Sequence, residues 1–317
     1  MAQKKEGRPL QGTRYVLVRK IGEGTTSEVH EAIGPDGEMC ALKILRRLHA
    51  DSPQATARHL QETHALAALA HPHVVPIDDA GVTADGRPFL AMPLLAGETL
   101  RARLDGRGPL PPSTAVRVVR ELLSALGAVH RLGIVHRDVK PANVFLARNG
   151  GRRVTPGRPR RERWASVGSA DVGSAILLDF GIAKLRWGAV AATTGAHVLG
   201  TPRYLAPEQI LGGAVDARTD IYAVGTLLFE AIAGRGPFTE PDTIALMRAH
   251  LRQAPASLRA VAGVPAALDQ VVARALAKAP ARRWESADAM IAALDVAREG
   301  LAITRRPTSL VTLGGAP

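Results

Sequence analysis

The sequence predicts an α+β fold in which a small sheet precedes a larger, mainly helical part. Three observations carry this reading. Strand-like runs at residues 15–18, 29–32 and 39–45 are separated by glycine-containing turns. One more apolar run, residues 89–92, completes the strand-rich part. Beyond it the period becomes helical, with Val116, Val119, Leu123, Leu126 and His130 recurring three or four positions apart. Strands first and helices afterwards is the order of an α+β arrangement, not of alternating βαβ units.

Within the first part, Gly22, Gly24 and Ser27 sit between two strands, and Gly34-Pro35-Asp36-Gly37 makes the next turn. Asp51-Ser52-Pro53 supplies an N-cap and a proline for a helix over 54–70, which contains Glu62. Ser113 is expected to cap a helix running to Leu132, and residues 216–234 form a strongly apolar helix carrying Asp220. Two amphipathic helices, 265–279 and 286–297, close the ordered region. Residues 1–13 and 298–317 are expected to be flexible.

The chain has 317 residues, of which 46% are hydrophobic and only 3% aromatic, so aliphatic side chains must fill the core. The net charge is +12. Half of it is local: residues 148–163 hold seven arginines against Glu162, a net +6. The remainder is only mildly basic, which speaks against a nucleic-acid-binding domain. Cys40 is the one cysteine, so no internal disulfide forms. No secretory signal stands at the N-terminus, and the longest apolar run, 221–233, is too short for a bilayer and contains Glu230. These features predict a soluble cytoplasmic protein.

The chemistry concentrates in His136-Arg137-Asp138-Val139-Lys140-Pro141-Ala142-Asn143, a loop braced by apolar residues on both sides. Asp138 is a proton acceptor, Lys140 a neighbouring positive charge and Asn143 an oxygen donor for a hard cation. Such a set suits phosphoryl transfer, where positioning and charge neutralisation carry most of the catalysis. Asp179-Phe180-Gly181 follows an apolar strand, and Thr201 with Ala206-Pro207-Glu208 lies further on.

In this order the motifs resemble the eukaryotic-type serine/threonine protein kinases, bacterial members above all. The resemblance spans about residues 14–297. It implies a two-lobed fold: an antiparallel sheet with one helix (14–95) over a mainly helical lobe (96–297), with ATP between them. It implies that Gly22, Gly24 and Val29 cover the phosphates, although Ser27 stands at the third glycine position. Lys43 would clamp the α/β-phosphates, Glu62 would orient Lys43, and Asn143 with Asp179 would hold Mg²⁺ or Mn²⁺. Asp138 would accept the substrate proton, Lys140 would stabilise the moving phosphoryl group and Thr201 would bridge Asp138 and Lys140. Ile21, Val29, Ala41, Met92 and Leu146 would sandwich adenine. Pro93 follows Met92 where the family often has an acidic residue, which removes one backbone donor from the interlobe hinge. In the family the Glu208 position pairs with a distant arginine, here Arg283, and the Asp220 position braces the catalytic loop. Lys140 and Thr201 match the serine/threonine branch, so the substrates are serine and threonine hydroxyls of proteins.

A catalytically dead member of the fold would show loss of Lys43, Asp138, Asn143 or Asp179, and all four are present. A small-molecule phosphotransferase of related fold would usually lack Ala206-Pro207-Glu208. Thr193 and Thr194 lie where a phosphate could pair with Arg137. Asn143 and Asp179 are 36 positions apart, whereas a two-stranded hairpin needs roughly 15 residues. The excess, between Arg148 and Ser174, is a glycine- and arginine-rich insert expected to be disordered, either a solvated spacer or a docking arm for an acidic partner or polyanion.

Overall fold

Short strands joined by tight turns pair with their neighbours, and the first sheet is built that way. The computed structural model describes residues 7–24, 27–46, 66–148, 172–179 and 202–303. Its first sheet contains β1 (Arg8–Pro9), β2 (Val16–Glu23), β3 (Ser27–Ile33), β4 (Met39–Leu45), β5 (Asp79–Val82) and β6 (Pro88–Pro93). All pairs are antiparallel, in the order β1-β2-β3-β4-β6-β5. Alternation gives the sheet two apolar faces. Leu42 and Ile44 join Leu10, Tyr15, Phe89 and Ala91 on one side, while Ala41 and Val29 join Met92 on the other. Val29 pairs with Lys43, so Lys43 shares the second face, which looks toward the other lobe.

The larger lobe begins at a small sheet of β7 (Gly97–Thr99), β8 (Val144–Ala147) and β9 (Ser174–Leu177), in that order. Gly97 has φ +148, and a Cβ there would lie 2.2 Å from the Leu146 carbonyl oxygen, so only glycine lets the hinge segment enter this sheet. The helices are α1 (Leu100–Arg107), α2 (Pro112–His130), α3 (Pro207–Ile210), α4 (Ala217–Ala233), α5 (Thr243–Arg252), α6 (Leu258–Ala262), α7 (Ala266–Ala275) and α8 (Ala287–Ile303). The Asp216 side chain caps α4, Gly234 ends it in the left-handed conformation, and α4 is buried on nearly all sides. Around it α2, α7 and α8 close one large aliphatic core. Among the described residues no helix is long and apolar enough to cross a membrane.

Three sequence expectations shift. Arg8 and Pro9 pair with Leu17 and Val16, so strand structure begins inside the stretch 1–13. Helix α2 starts at Pro112 with Pro111 as its cap, and Ser113 lies within the first turn. A proline at the first helical position fixes φ there and needs no side-chain cap. Helix α8 continues past 297 to Ile303. The expected helix 54–70 lies outside the described residues except for its end.

Residues 73–75 tie the two lobes together. Leu177 N–H donates to His73 O at 2.8 Å, and Val75 N–H donates to Leu177 O at 3.1 Å. Helix α5 seats on α4 through a buried pair, with the Tyr222 hydroxyl 2.9 Å from His250 Nδ1. Lys278 Nζ caps the same helix by donating to Ala249 O and His250 O and lies 4.3 Å from the centroid of the Phe238 ring. Burial, with Lys278 nearby, lowers the His250 pKa to about 4, and burial, with His73 nearby, lowers His71 likewise to about 4. In the unfolded chain histidine titrates near ~6.5. Between that value and 4 the unfolded state therefore binds more protons, and stability falls as pH drops through the window. His250 alone accounts for about 3 kcal/mol of that loss. In urea unfolding at pH 7.5, 6 and 4.5, His250→Gln is expected to be less stable at pH 7.5 and to lose less on acidification than the wild type.

Candidate active site

The loop 136–143 is held by the buried start of α4. Asp220, 1% exposed near the start of α4, accepts the N–H groups of His136 at 2.9 Å and Arg137 at 2.8 Å, with His130 Nε2 at 2.7 Å from the same carboxylate. These charge-assisted bonds lock the loop backbone. Arg137 is forced to φ +65, a costly region for a side-chain-bearing residue that persists only because its surroundings hold it. Gln209 Nε2 donates to Arg137 O at 3.0 Å, and Gln209 Oε1 accepts from Ala206 N–H at 3.0 Å, which links the loop to α3. His136 is fully buried, with Nε2 3.0 Å from Leu178 O, while Asp138 N–H donates to its Nδ1 at 3.3 Å.

Within this frame the functional side chains converge. Lys140 Nζ lies 2.9 Å from Asp138 Oδ2, and Asn143 Nδ2 donates to Asp138 O at 2.8 Å and to Oδ2 at 3.2 Å. Leu178 N–H donates to Asn143 O at 2.8 Å, which sets the next residue, Asp179, beside the loop at φ +49. Lys43 Nζ reaches from β4 to Asp179 Oδ1 at 2.8 Å, with 11% of the lysine side chain and 33% of the aspartate side chain exposed. One chain of contacts thus runs from Lys43 through Asp179, Leu178, Asn143 and Asp138 to Lys140. The donors fit a hard cation. The Asn143 amide turns its nitrogen toward Asp138, so its oxygen and the Asp179 carboxylate would be the protein ligands of such a cation, whose charge would offset that of phosphate oxygens.

At the glycine turn, Gly22 pairs with Val29, and Gly24 N–H donates to Ser27 O at 2.8 Å. Val29, Ala41 and Met92 form one apolar cluster at the mouth of the cleft, joined by Leu94, Leu95, Phe145 and Ala147. Ile21 sits at a bulge in β2 and is 39% exposed. Leu146 does not join them. Its side chain belongs to the core of the larger lobe, because alternation along β8 turns Val144 and Leu146 inward and Phe145 and Ala147 toward Ala41 and Met92. Phe145 takes the place expected for Leu146. Glu62, Thr193, Thr194, Phe180, Gly181, Thr201 and residues 149–171 of the insert lie outside the described residues.

Below the loop, Arg283 and Glu208 meet as expected, bidentate at 2.7 and 2.8 Å. The remaining Arg283 donors go to Ala277 O, Arg218 O and Lys278 O, so all five N–H groups are used. Burial raises the Glu208 carboxyl, but Arg283 and the Thr219 hydroxyl outweigh it and hold the group below the ordinary carboxylate value. Nearby, the Tyr204 hydroxyl donates to Glu230, which also accepts Arg101 Nη1 at 2.9 Å.

Comparison with known proteins gives the family. The protein kinase domain family matches residues 15–293. The chain is 36% identical over 297 residues to the serine/threonine-protein kinase PknL of Mycobacterium tuberculosis, covering 93% of this chain and 68% of that protein. It is 38% identical over 278 residues to PkaB of Streptomyces coelicolor, covering 87% and 61%. The crystal structure of a cysteine-to-alanine mutant of the M. tuberculosis PknI kinase domain superposes with a TM-score of 0.68 at 29% identity, covering 94% of this chain and all of that one. The two-lobed fold and the family match over nearly the whole chain define the class, and the chain belongs to the protein kinase family.

Proposed function

We infer that this chain is a serine/threonine protein kinase that moves the γ-phosphoryl group of ATP to serine and threonine hydroxyls of proteins. The observation that carries this is the unbroken contact path from Lys43 to Lys140 through Asp179, Asn143 and Asp138. Lys43 binds the α/β-phosphates, leaving Asp179 as nucleotide enters. Asn143 and Asp179 hold Mg²⁺ or Mn²⁺, which neutralises charge on the phosphates when bound. Asp138 orients the acceptor hydroxyl and takes its proton, while Lys140 balances charge on the transferring group. Val29, Ala41 and Met92 on one side and Phe145 on the other enclose adenine.

Glu62 orients Lys43, Thr201 bridges Asp138 and Lys140, and phosphate on Thr193 or Thr194 pairs with Arg137 to order the segment between them. The kinase domain takes in about 14–297, and the reaction runs in the cytoplasm on protein substrates. The basic insert is either a solvated spacer or a docking arm for an acidic partner or polyanion; only a docking arm would bind such a partner in a salt-sensitive way. Retention of Lys43, Asp138, Asn143 and Asp179 argues against a catalytically inert module of the same fold.

The test is transfer of labelled γ-phosphate from Mg²⁺-ATP to a generic basic protein, with phosphoamino-acid analysis. Phosphoserine or phosphothreonine is expected, with label also on Thr193 or Thr194 of the kinase by mass spectrometry. Label on tyrosine alone, or none, would contradict the reading.

A further inference from the structure

Strand β9 is an edge strand, yet all four of its residues are buried. On one side its four buried residues pair with β8. The other edge presents N–H and C=O groups that the sheet leaves unpaired, and buried backbone groups need partners. They come from outside the sheet. Ala175 N–H donates to Glu121 Oε2 at 2.7 Å, and Ala175 O lies 2.9 Å from His73 Nδ1. Leu177 is satisfied by the backbone of His73 and Val75. Just upstream, Arg117 Nη2 donates to Val172 O at 2.7 Å, and its Nη1 donates to Glu121 Oε1 at 2.9 Å and Gly173 O at 3.4 Å. Gly173 passes so close to β8 that a Cβ would lie 2.1 Å from Ala147 O.

We propose that Arg117 and Glu121, one turn apart on α2, are positioning residues for Asp179 that fix the register of β9. This rests on the kinase reading above. Asp179 lies two residues beyond β9 in a left-handed conformation that its surroundings must maintain. The opposite end of β9 receives residues 149–171, which carry six arginines and one glutamate. A slip of one residue there would move the strand by about 3.3 Å and reverse its faces. The clamp opposes that slip from a helix itself anchored by Arg120, whose Nη2 donates to Asp295 on α8 at 2.9 Å. Its bonds to the strand are charge-assisted and sheltered, with the two side chains 22% and 12% exposed.

The test uses the full chain with Glu121→Ala, Glu121→Gln, Arg117→Ala and, as a stability control, Leu294→Ala in the core face of α8. Two quantities are read: the rise in melting temperature that Mg²⁺ adds to ADP over ADP alone, and the Mg²⁺ concentration for half-maximal phosphoryl transfer. Glu121→Ala is expected to lose most of the Mg²⁺ increment and to need roughly 10-fold more Mg²⁺, as for other residues that orient metal ligands. Arg117→Ala should move both readings in the same direction by less. Glu121→Gln should restore them, because its amide oxygen still accepts the Ala175 N–H. Leu294→Ala should melt lower and keep the increment. A wild-type increment in both Glu121→Ala and Arg117→Ala, or its equal loss in Leu294→Ala, overturns the proposal. A wild-type chain indifferent to ADP with and without Mg²⁺ would overturn the kinase reading first and the clamp with it.

Discussion

Asp138→Asn is expected to lower kcat for phosphoryl transfer by at least ~100-fold, the usual cost of removing a positioned general base. ATP binding should stay near the wild-type value, because the residues proposed to enclose adenine and the Lys43–Asp179 contact are untouched. Asparagine keeps the shape of the side chain and can still accept from Lys140 and Asn143, whose nitrogens approach Asp138 Oδ2 at 2.9 and 3.2 Å. What it loses is the charge that draws the acceptor proton. Lys43→Met should also lose on the order of 100-fold, but with a raised KM for ATP, since it would remove the proposed phosphate contact. Steady-state kinetics with both substrates varied separates the two patterns. Two variants that turn over like the wild type would dismantle the site.

Arg283→Ala carries the largest expected cost in stability. The guanidinium is 0% exposed and satisfies Glu208, itself 9% exposed, together with three backbone carbonyls. Removing it strands a buried carboxylate, which typically costs about 3–5 kcal/mol. Because the Glu208 pKa is held low, its contribution is present above the ordinary carboxylate range and is lost as pH falls through the lowered value. Arg283→Ala should therefore be much less stable at pH 7 in urea titration, with a gap that narrows toward pH 3. A loss below about 1 kcal/mol would mean the pair contributes no more than a surface salt bridge.

Much of this was legible in the sequence, for reasons that differ by residue. Strand β4 was bounded at both ends because a continuous apolar run met a glycine turn before it and a basic pair after it. Helix α4 was bounded by Asp216 and Gly234, residues whose chemistry suits helix ends. The Arg283–Glu208 pair and the Asp220 brace were reached only through motif order, since no local rule joins residues 75 or 84 positions apart. Leu146 was misplaced because an all-apolar strand buried on both faces hides its parity, and a one-residue error changes the face. Strand β5 was missed because Asp79, Ala80 and Gly81 have little strand preference, and its pairing with β6 supplies what propensity lacks. Glu121 gave no signal at all. A side chain that satisfies the edge of a distant strand leaves no spacing pattern to read.

The most direct test of the site is the structure of the chain with Mg²⁺ and a non-hydrolysable ATP analogue. The account predicts a cation bound by Asn143 Oδ1 and an Asp179 carboxylate oxygen, with Lys43 moved from Asp179 to the α/β-phosphates and Asp138 facing the γ-phosphorus. A nucleotide bound away from the Ala41–Met92–Phe145 cluster, or a cation held without Asp179, would contradict it.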